Sequence, residues 1–174
     1  MNRSDLDVLI DQATLARRIA ELGEEISRDY ADKDLALVGI LKGSVIFLAD
    51  LARALTVECT LDFLGLSSYG NSTDSSGVVQ ITSDLSAPIA GRDVLVVEDI
   101  VDTGLTMRYL LDNLQTRHPR SLRICTLLHK PARTKVEVPI DYTGFTIEDK
   151  FVIGYGLDYE SRFRNVPYIG HKVR

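Results

Sequence analysis

One stretch constrains the fold of this chain more than any other, Val94-Leu-Val-Val-Glu-Asp-Ile-Val-Asp-Thr-Gly-Leu-Thr106. Val94 to Val97 are apolar and mostly β-branched, which reads as a strand covered on both faces, as in a parallel sheet. Glu98 and Asp99 follow at once. Ile100-Val101 and the hydroxyl- and glycine-bearing Asp102 to Thr106 come next, then an amphipathic run from Met107 to Leu114. The order is strand, acidic pair, short loop, helix, so the chain is expected to be α/β. Its 174 residues suffice for one domain with a substantial core.

The chemistry of the stretch follows from that order. A loop entering a helix points backbone N–H groups outward, and the helix dipole adds partial positive charge there. Gly104 permits a tight turn and close approach to a ligand, and Thr103 and Thr106 add hydroxyl donors. The loop is suited to a phosphate. Glu98 and Asp99 fall at the carboxyl end of a strand, where open α/β sheets bind ligands, and can accept hydrogen bonds from sugar hydroxyls or share a Mg²⁺. Asp102 is placed for general-base work. A receiver domain also pairs carboxylates after a strand, but near its N-terminus; here the pair lies past mid-chain and Asp-Thr-Gly follows. A dinucleotide fingerprint is nearly absent: Gly154-Tyr155-Gly156 is followed by Tyr159, not glycine.

Composition narrows the partners. The formal net charge is −5, so no global basic field recruits nucleic acid, and an anionic substrate needs a local cationic site. Met1 to Gln12 is polar and acidic, and no long apolar run is present, so neither a signal peptide nor a membrane span is expected. Cys59 and Cys125 lie in apolar runs and read as buried free thiols, consistent with the cytoplasm.

Leu15, Ile19, Leu22 and Ile26 recur at helical spacing and predict a surface helix laid on the sheet. Leu35 to Leu41 reads as a buried strand, Lys42-Gly43-Ser44 as a turn and Val45 to Leu55 as a helix. Lys42 beside backbone N–H groups suits a second anion, although the tripeptide taken alone reads better as an ordinary turn with a solvated lysine. Val57 to Leu64 reads as a strand. Residues 65–77 are polar and glycine-bearing and predict a mobile loop, either a lid or a hairpin tip. Val78 to Ser83 would return as a strand, and Ser121 to Leu128 is a further buried one. Phe151 to Ile153 predicts a short strand broken by Gly154 and Gly156. His118, His129 and His171 are assigned no catalytic role.

Taken together, Leu-Lys-Gly at 41–43, Glu98-Asp99 with Asp102-Thr-Gly-Leu-Thr106, and Asp149-Lys-Phe-Val-Ile-Gly-Tyr-Gly-Leu-Asp-Tyr159 resemble the type I phosphoribosyltransferases, and within them the hypoxanthine (and hypoxanthine-guanine) phosphoribosyltransferases. The resemblance runs from about Leu35 to Arg164. It implies a mostly parallel central sheet flanked by helices in a single domain spanning 1–174, with a small C-terminal hood from about 130–174. It implies 5′-phosphate and ribose binding by Glu98, Asp99, Asp102, Thr103, Gly104, Leu105 and Thr106, with Asp102 catalytic. Pyrophosphate falls to Lys42, Gly43 and Arg164, with a cis peptide between Leu41 and Lys42. Purine binding falls to Lys130, which would donate to the 6-oxo group, to Phe151 as a stacking ring, to the Val152 backbone and to Asp158. Ser68-Tyr69 would act in the lid. Mg²⁺ would be held by Glu98, Asp99 and Asp158. Some members carry an arginine where this chain has Gly65, so that extra pyrophosphate contact is not expected.

The activity implied is transfer of the phosphoribosyl group of phosphoribosyl pyrophosphate to N9 of hypoxanthine, and of guanine, giving IMP or GMP and pyrophosphate. A homodimer or homotetramer is implied as well. Two alternatives stay open: a regulator of the same fold that binds nucleotide and RNA or DNA, and a xanthine-guanine transferase. The acidic charge weighs against the first.

Overall fold

A computed structural model describes residues 3–68 and 79–172. Six strands form the central sheet: β2 (Leu35–Leu41), β3 (Cys59–Ser68), β4 (Val79–Ser83), β5 (Asp93–Val101), β6 (Ser121–His129) and β7 (Tyr142–Thr146). Their order is β4-β3-β2-β5-β6-β7. All neighbours run parallel except β4, which is antiparallel to β3. Three helices, α1 (Gln12–Asp29), α2 (Val45–Ala54) and α3 (Leu105–Gln115), cover the two faces.

Alternation along the buried strands explains the layering. Leu35 and Leu37 of β2, with Leu95 and Val97 of β5, pack with Leu15, Ile19, Leu22 and Ile26 of α1 and Phe47, Leu48 and Leu51 of α2. Ala36, Val38 and Ile40, with Val94 and Val96, face the opposite way onto Met107, Leu110, Leu111 and Leu114 of α3. Successive side chains of a strand point to opposite faces, so an unbroken apolar run serves both cores. The predicted stripe of α1 is buried throughout. Asp11 starts this helix by accepting the Thr14 N–H at 2.7 Å.

A second, three-stranded sheet joins β1 (Leu6–Ile10), β9 (Ile169–Lys172) and β8 (Val152–Ile153) in the order β1-β9-β8, with both pairs antiparallel. Its Ile10, Val152 and Ile169 share the core of α1 and α2. A strand at the start of the chain therefore completes a sheet otherwise built from the C-terminal part.

Several boundaries differ from the sequence expectation. β5 does not stop at Val97 but continues through Glu98 and Asp99 to Val101, because β6 keeps pairing beside it: Glu98 aligns with Thr126 and Val101 with His129. The acidic pair thus lies within the strand end, held by sheet hydrogen bonding. α3 starts at Leu105, two residues earlier than the amphipathic pattern suggested. β3 runs on to Ser68, into the stretch expected as loop, because β4 pairs with it from Gly65 to Ser68. Tyr69, the side chain of Ser68, Val78 and most of the expected lid lie outside the described residues. β8 begins at Val152, not Phe151. Among the described residues, no helix is long and apolar enough to cross a membrane.

Candidate active site

The ends of β5 and β6, the loop into α3 and two loops from elsewhere in the chain converge at one edge of the sheet. Glu98, Asp99, Ile100, Val101, Asp102, Thr103, Gly104, Thr106 and Met107 line a cleft of about 120 Å³. Glu98 is buried, and burial together with the neighbouring Asp99 charge raises its carboxyl well above the usual carboxylate range. Burial raises Asp99 too, against the pull of its hydrogen bond with Glu98 and of the Arg164 charge. The Asp99 N–H donates to Glu98 Oε1 at 3.1 Å, and the Ile100 N–H donates to Asp99 Oδ1 at 2.8 Å.

The 102–106 loop is fastened from below. The Thr103 N–H donates to Asp102 Oδ1 at 2.5 Å, which fixes the direction of that carboxyl. The Thr103 carbonyl accepts the N–H groups of Lys135 and Val136, both at 3.0 Å. Gly104 is the N-cap of α3 at φ +78, and a Cβ there would overlap the Val136 carbonyl oxygen. Gly104 itself offers no side-chain cap, and the first N–H, that of Leu105, makes only a long 3.4 Å bond to Thr103 Oγ1, so this turn can still donate to a ligand. The side chain of Leu105 does not line the cleft; only its backbone belongs to the loop.

The Lys42–Ser44 turn meets the acidic pair directly. The Leu41–Lys42 peptide is cis. Gly43 is buried so closely against Asp99 that a Cβ would overlap Asp99 Oδ2. Lys42 is exposed beside it. Gly156, at φ +99, lies against the Gly43 carbonyl oxygen and also excludes a Cβ. Arg164 donates from Nη1 to the Gly156 carbonyl at 2.6 Å and pairs with Asp158 at 2.7 Å. One chain of contacts therefore runs from Asp99 through Gly43 and Gly156 to Arg164 and Asp158. The sequence reading gave Gly156 no role beyond breaking a strand; its value lies in that close approach.

On the other side, the Lys130 N–H donates to the Val101 carbonyl at 2.9 Å, which seats this residue beside the loop. Lys130 is 5% exposed, and burial lowers its ammonium pKa, partly offset by the charges of Asp149 and Asp102. Lys130 Nζ stands 3.8 Å from the Asp149 carboxylate. Phe151 is 62% exposed and meets the Tyr159 ring edge-to-face at 6.2 Å, whereas Val152 is buried in β8.

The expected metal set is only partly assembled. Glu98 and Asp99 are adjacent, but Asp158 is engaged with Arg164 and with the Ser161 N–H at 2.8 Å. Among the described residues no group of three or more His, Cys, Asp or Glu side chains is placed to hold a metal. Two carboxylates still fit Mg²⁺, which is commonly held by one or two carboxylates plus substrate phosphates.

Known proteins resemble this chain in sequence and in fold. The phosphoribosyl transferase domain matches residues 6–160. The hypoxanthine-guanine phosphoribosyltransferase of Mycobacterium avium is 54% identical over 169 residues, covering 94% of this chain and 83% of that protein. The hypoxanthine phosphoribosyltransferase of Escherichia coli K12 is 48% identical over 170 residues, covering 97% and 96%. The crystal structure of a hypoxanthine phosphoribosyltransferase from Staphylococcus aureus superposes with a TM-score of 0.94 at 44% identity, covering 98% of this chain and 93% of that one. By sequence and by fold, this chain belongs to the hypoxanthine (and hypoxanthine-guanine) phosphoribosyltransferases of the phosphoribosyl transferase domain family.

Proposed function

We infer that this chain is a purine-salvage transferase that moves the phosphoribosyl group of phosphoribosyl pyrophosphate to N9 of hypoxanthine, and of guanine, releasing pyrophosphate. Family membership supports the reaction. One observation supports the assignment of the base site: the Lys130 N–H donates to the Val101 carbonyl at 2.9 Å, where Val101 pairs with His129, so Lys130 and Asp102 leave the paired ends of β6 and β5 side by side. A 6-oxopurine presents N7 and O6 on a single edge. Lys130, a pure donor, matches O6, and Asp102 matches the N7 proton.

The remaining roles follow from position. The backbone of 103–106 and the hydroxyls of Thr103 and Thr106 hold the 5′-phosphate at the start of α3. Glu98 and Asp99 hold the ribose hydroxyls and a Mg²⁺; when bound, Mg²⁺ offsets charge on the phosphate oxygens. Asp158 is a candidate ligand for a Mg²⁺ that accompanies pyrophosphate. Arg164, Lys42 and the Gly43 backbone stabilise the leaving pyrophosphate, whose charge grows as the C1′–O bond breaks and the C1′–N9 bond forms. Phe151, exposed, stacks on the purine, and the Val152 backbone reads its edge. Ser68 and Tyr69 would close over the reacting centre and exclude water. Free thiols at Cys59 and Cys125 fit a reducing compartment, the cytoplasm. A homodimer or homotetramer is proposed from the family alone.

The test is turnover with phosphoribosyl pyrophosphate, Mg²⁺ and each of hypoxanthine, guanine, xanthine and adenine. Turnover of hypoxanthine with adenine inert supports the reading. Preference for xanthine over hypoxanthine points to the xanthine-guanine alternative. No turnover with any base, with a salt-sensitive shift of RNA or DNA, replaces the enzyme by a regulator.

A further inference from the structure

Asp149 belongs to the Asp149–Tyr159 signature, yet no step above uses it. Its carboxylate stands 3.8 Å from Lys130 Nζ and 3.7 Å from Arg133 Nη1. Lys130 is enclosed at 5% exposure, whereas the Asp149 side chain is half in solvent at 51%. The charged groups that face Lys130 are Asp149 from the segment before β8, Asp102 from the loop before α3, and Arg133 from the 3₁₀ turn Pro131–Arg133. Arg133 opposes the lysine charge and also pairs with Asp149. Asp102 handles a proton in the reaction, so its charge does not support Lys130 through the whole cycle. Asp149 is the carboxylate beside Lys130 with no other task in the transfer.

We propose that Asp149 is a positioning residue for base selection: it holds Lys130 charged and aimed at the purine 6-position, and thereby makes the site reject 6-aminopurines. The inference rests on the reading of Lys130 as the donor to the 6-oxo group. The chemistry is a matter of one lone pair. A protonated lysine only donates, so it welcomes O6 and repels an amino group. A neutral lysine amine carries a lone pair and accepts a hydrogen bond from the 6-amino group of adenine. Burial favours the neutral form of a lysine. A fixed negative charge opposes that tendency and keeps the discrimination sharp.

The test compares wild type, Asp149→Asn and Asp149→Glu, each shown to keep the wild-type thermal midpoint. Turnover of hypoxanthine is followed with adenine as competitor, from pH 7 to about pH 10, near the ordinary lysine value. Asp149→Asn is expected to lower the ratio of the adenine inhibition constant to the hypoxanthine KM by about fivefold, the scale of a half-exposed charge pair. The effect should be largest at alkaline pH, with the KM for phosphoribosyl pyrophosphate unchanged. Asp149→Glu keeps the charge and should restore most of the ratio. An unchanged ratio, or equal weakening of both bases at every pH, overturns the proposal, because a structural role moves both together. Wild-type protein that turns over no purine refutes the underlying function instead, and is recognised as such before any variant is compared.

Discussion

Replacing Gly104 by alanine tests whether the phosphate loop is as tightly built as the structure shows. Gly104 sits at φ +78, where an L-residue costs about 1–2 kcal/mol. The new methyl would also overlap the Val136 carbonyl oxygen. That carbonyl cannot easily recede, because the Val136 and Lys135 N–H groups are both held by the Thr103 carbonyl at 3.0 Å. Overpacking of this kind costs about 1–3 kcal/mol, so the total is about 2–5 kcal/mol. The loop itself is the part free to move, and its movement displaces the N–H groups at the start of α3. A misplacement of about 1 Å can cost on the order of 10²-fold in rate. Urea denaturation and the KM for phosphoribosyl pyrophosphate measure the two effects. Gly91→Ala is the control: its φ is +72, but nothing lies within 4 Å of the added Cβ. It should lose only that backbone cost of about 1–2 kcal/mol and keep the KM. If Gly104→Ala behaves like Gly91→Ala, the close packing of the loop on Val136 is refuted.

Two other outcomes are expected. Arg18 of α1 donates to the Gly144 carbonyl at 3.0 Å and to the Thr143 carbonyl at 2.8 Å, stapling that helix to the edge strand β7; Arg18→Met should lower the unfolding free energy by about 1–2 kcal/mol in denaturant titration, with the KM for hypoxanthine intact. Burial lowers the Lys130 pKa, so its proton leaves as pH rises at a lower pH than from a solvated lysine near 10.4; the hypoxanthine KM should climb on the alkaline side before that value, and Lys130→Gln should raise the KM at neutral pH by about tenfold and remove the climb.

Legibility in the sequence followed locality. The strand-loop-helix from Val94 to Leu114 was readable because apolar runs, carboxylates and glycine follow one another in a fixed local order. The stripe of α1 and the buried strands β2 and β6 were readable for the same reason. The end of β5 was legible only as far as the acidic pair at the strand's carboxyl end; that the strand runs on to Val101 depends on Thr126 and His129 of β6 pairing alongside. The small sheet was missed in part because Leu6–Ile10 finds its partner, Ile169–Lys172, at the far end of the chain. Phe151 to Ile153 was readable as a strand, but nothing local says that Phe151 stays outside it. Within the site, the residue types were legible and their contacts were not. The approach of Gly43 to Asp99 and of Gly156 to the Gly43 carbonyl joins segments distant in sequence. A glycine at each place is the only trace left in the chain.

The central claim is that Asp102 handles the purine proton while its loop holds the ribose phosphate. Single-turnover kinetics of Asp102→Asn, measured beside direct binding of phosphoribosyl pyrophosphate with Mg²⁺, tests it most directly. The substitution keeps an oxygen that can accept the Thr103 N–H, so the loop should stay in place. The transfer rate should fall by about 10²–10⁴-fold, the scale of general-base catalysis, while the dissociation constant for phosphoribosyl pyrophosphate stays close to wild type. Equal losses in rate and in binding would contradict the account and make Asp102 a structural residue of the loop.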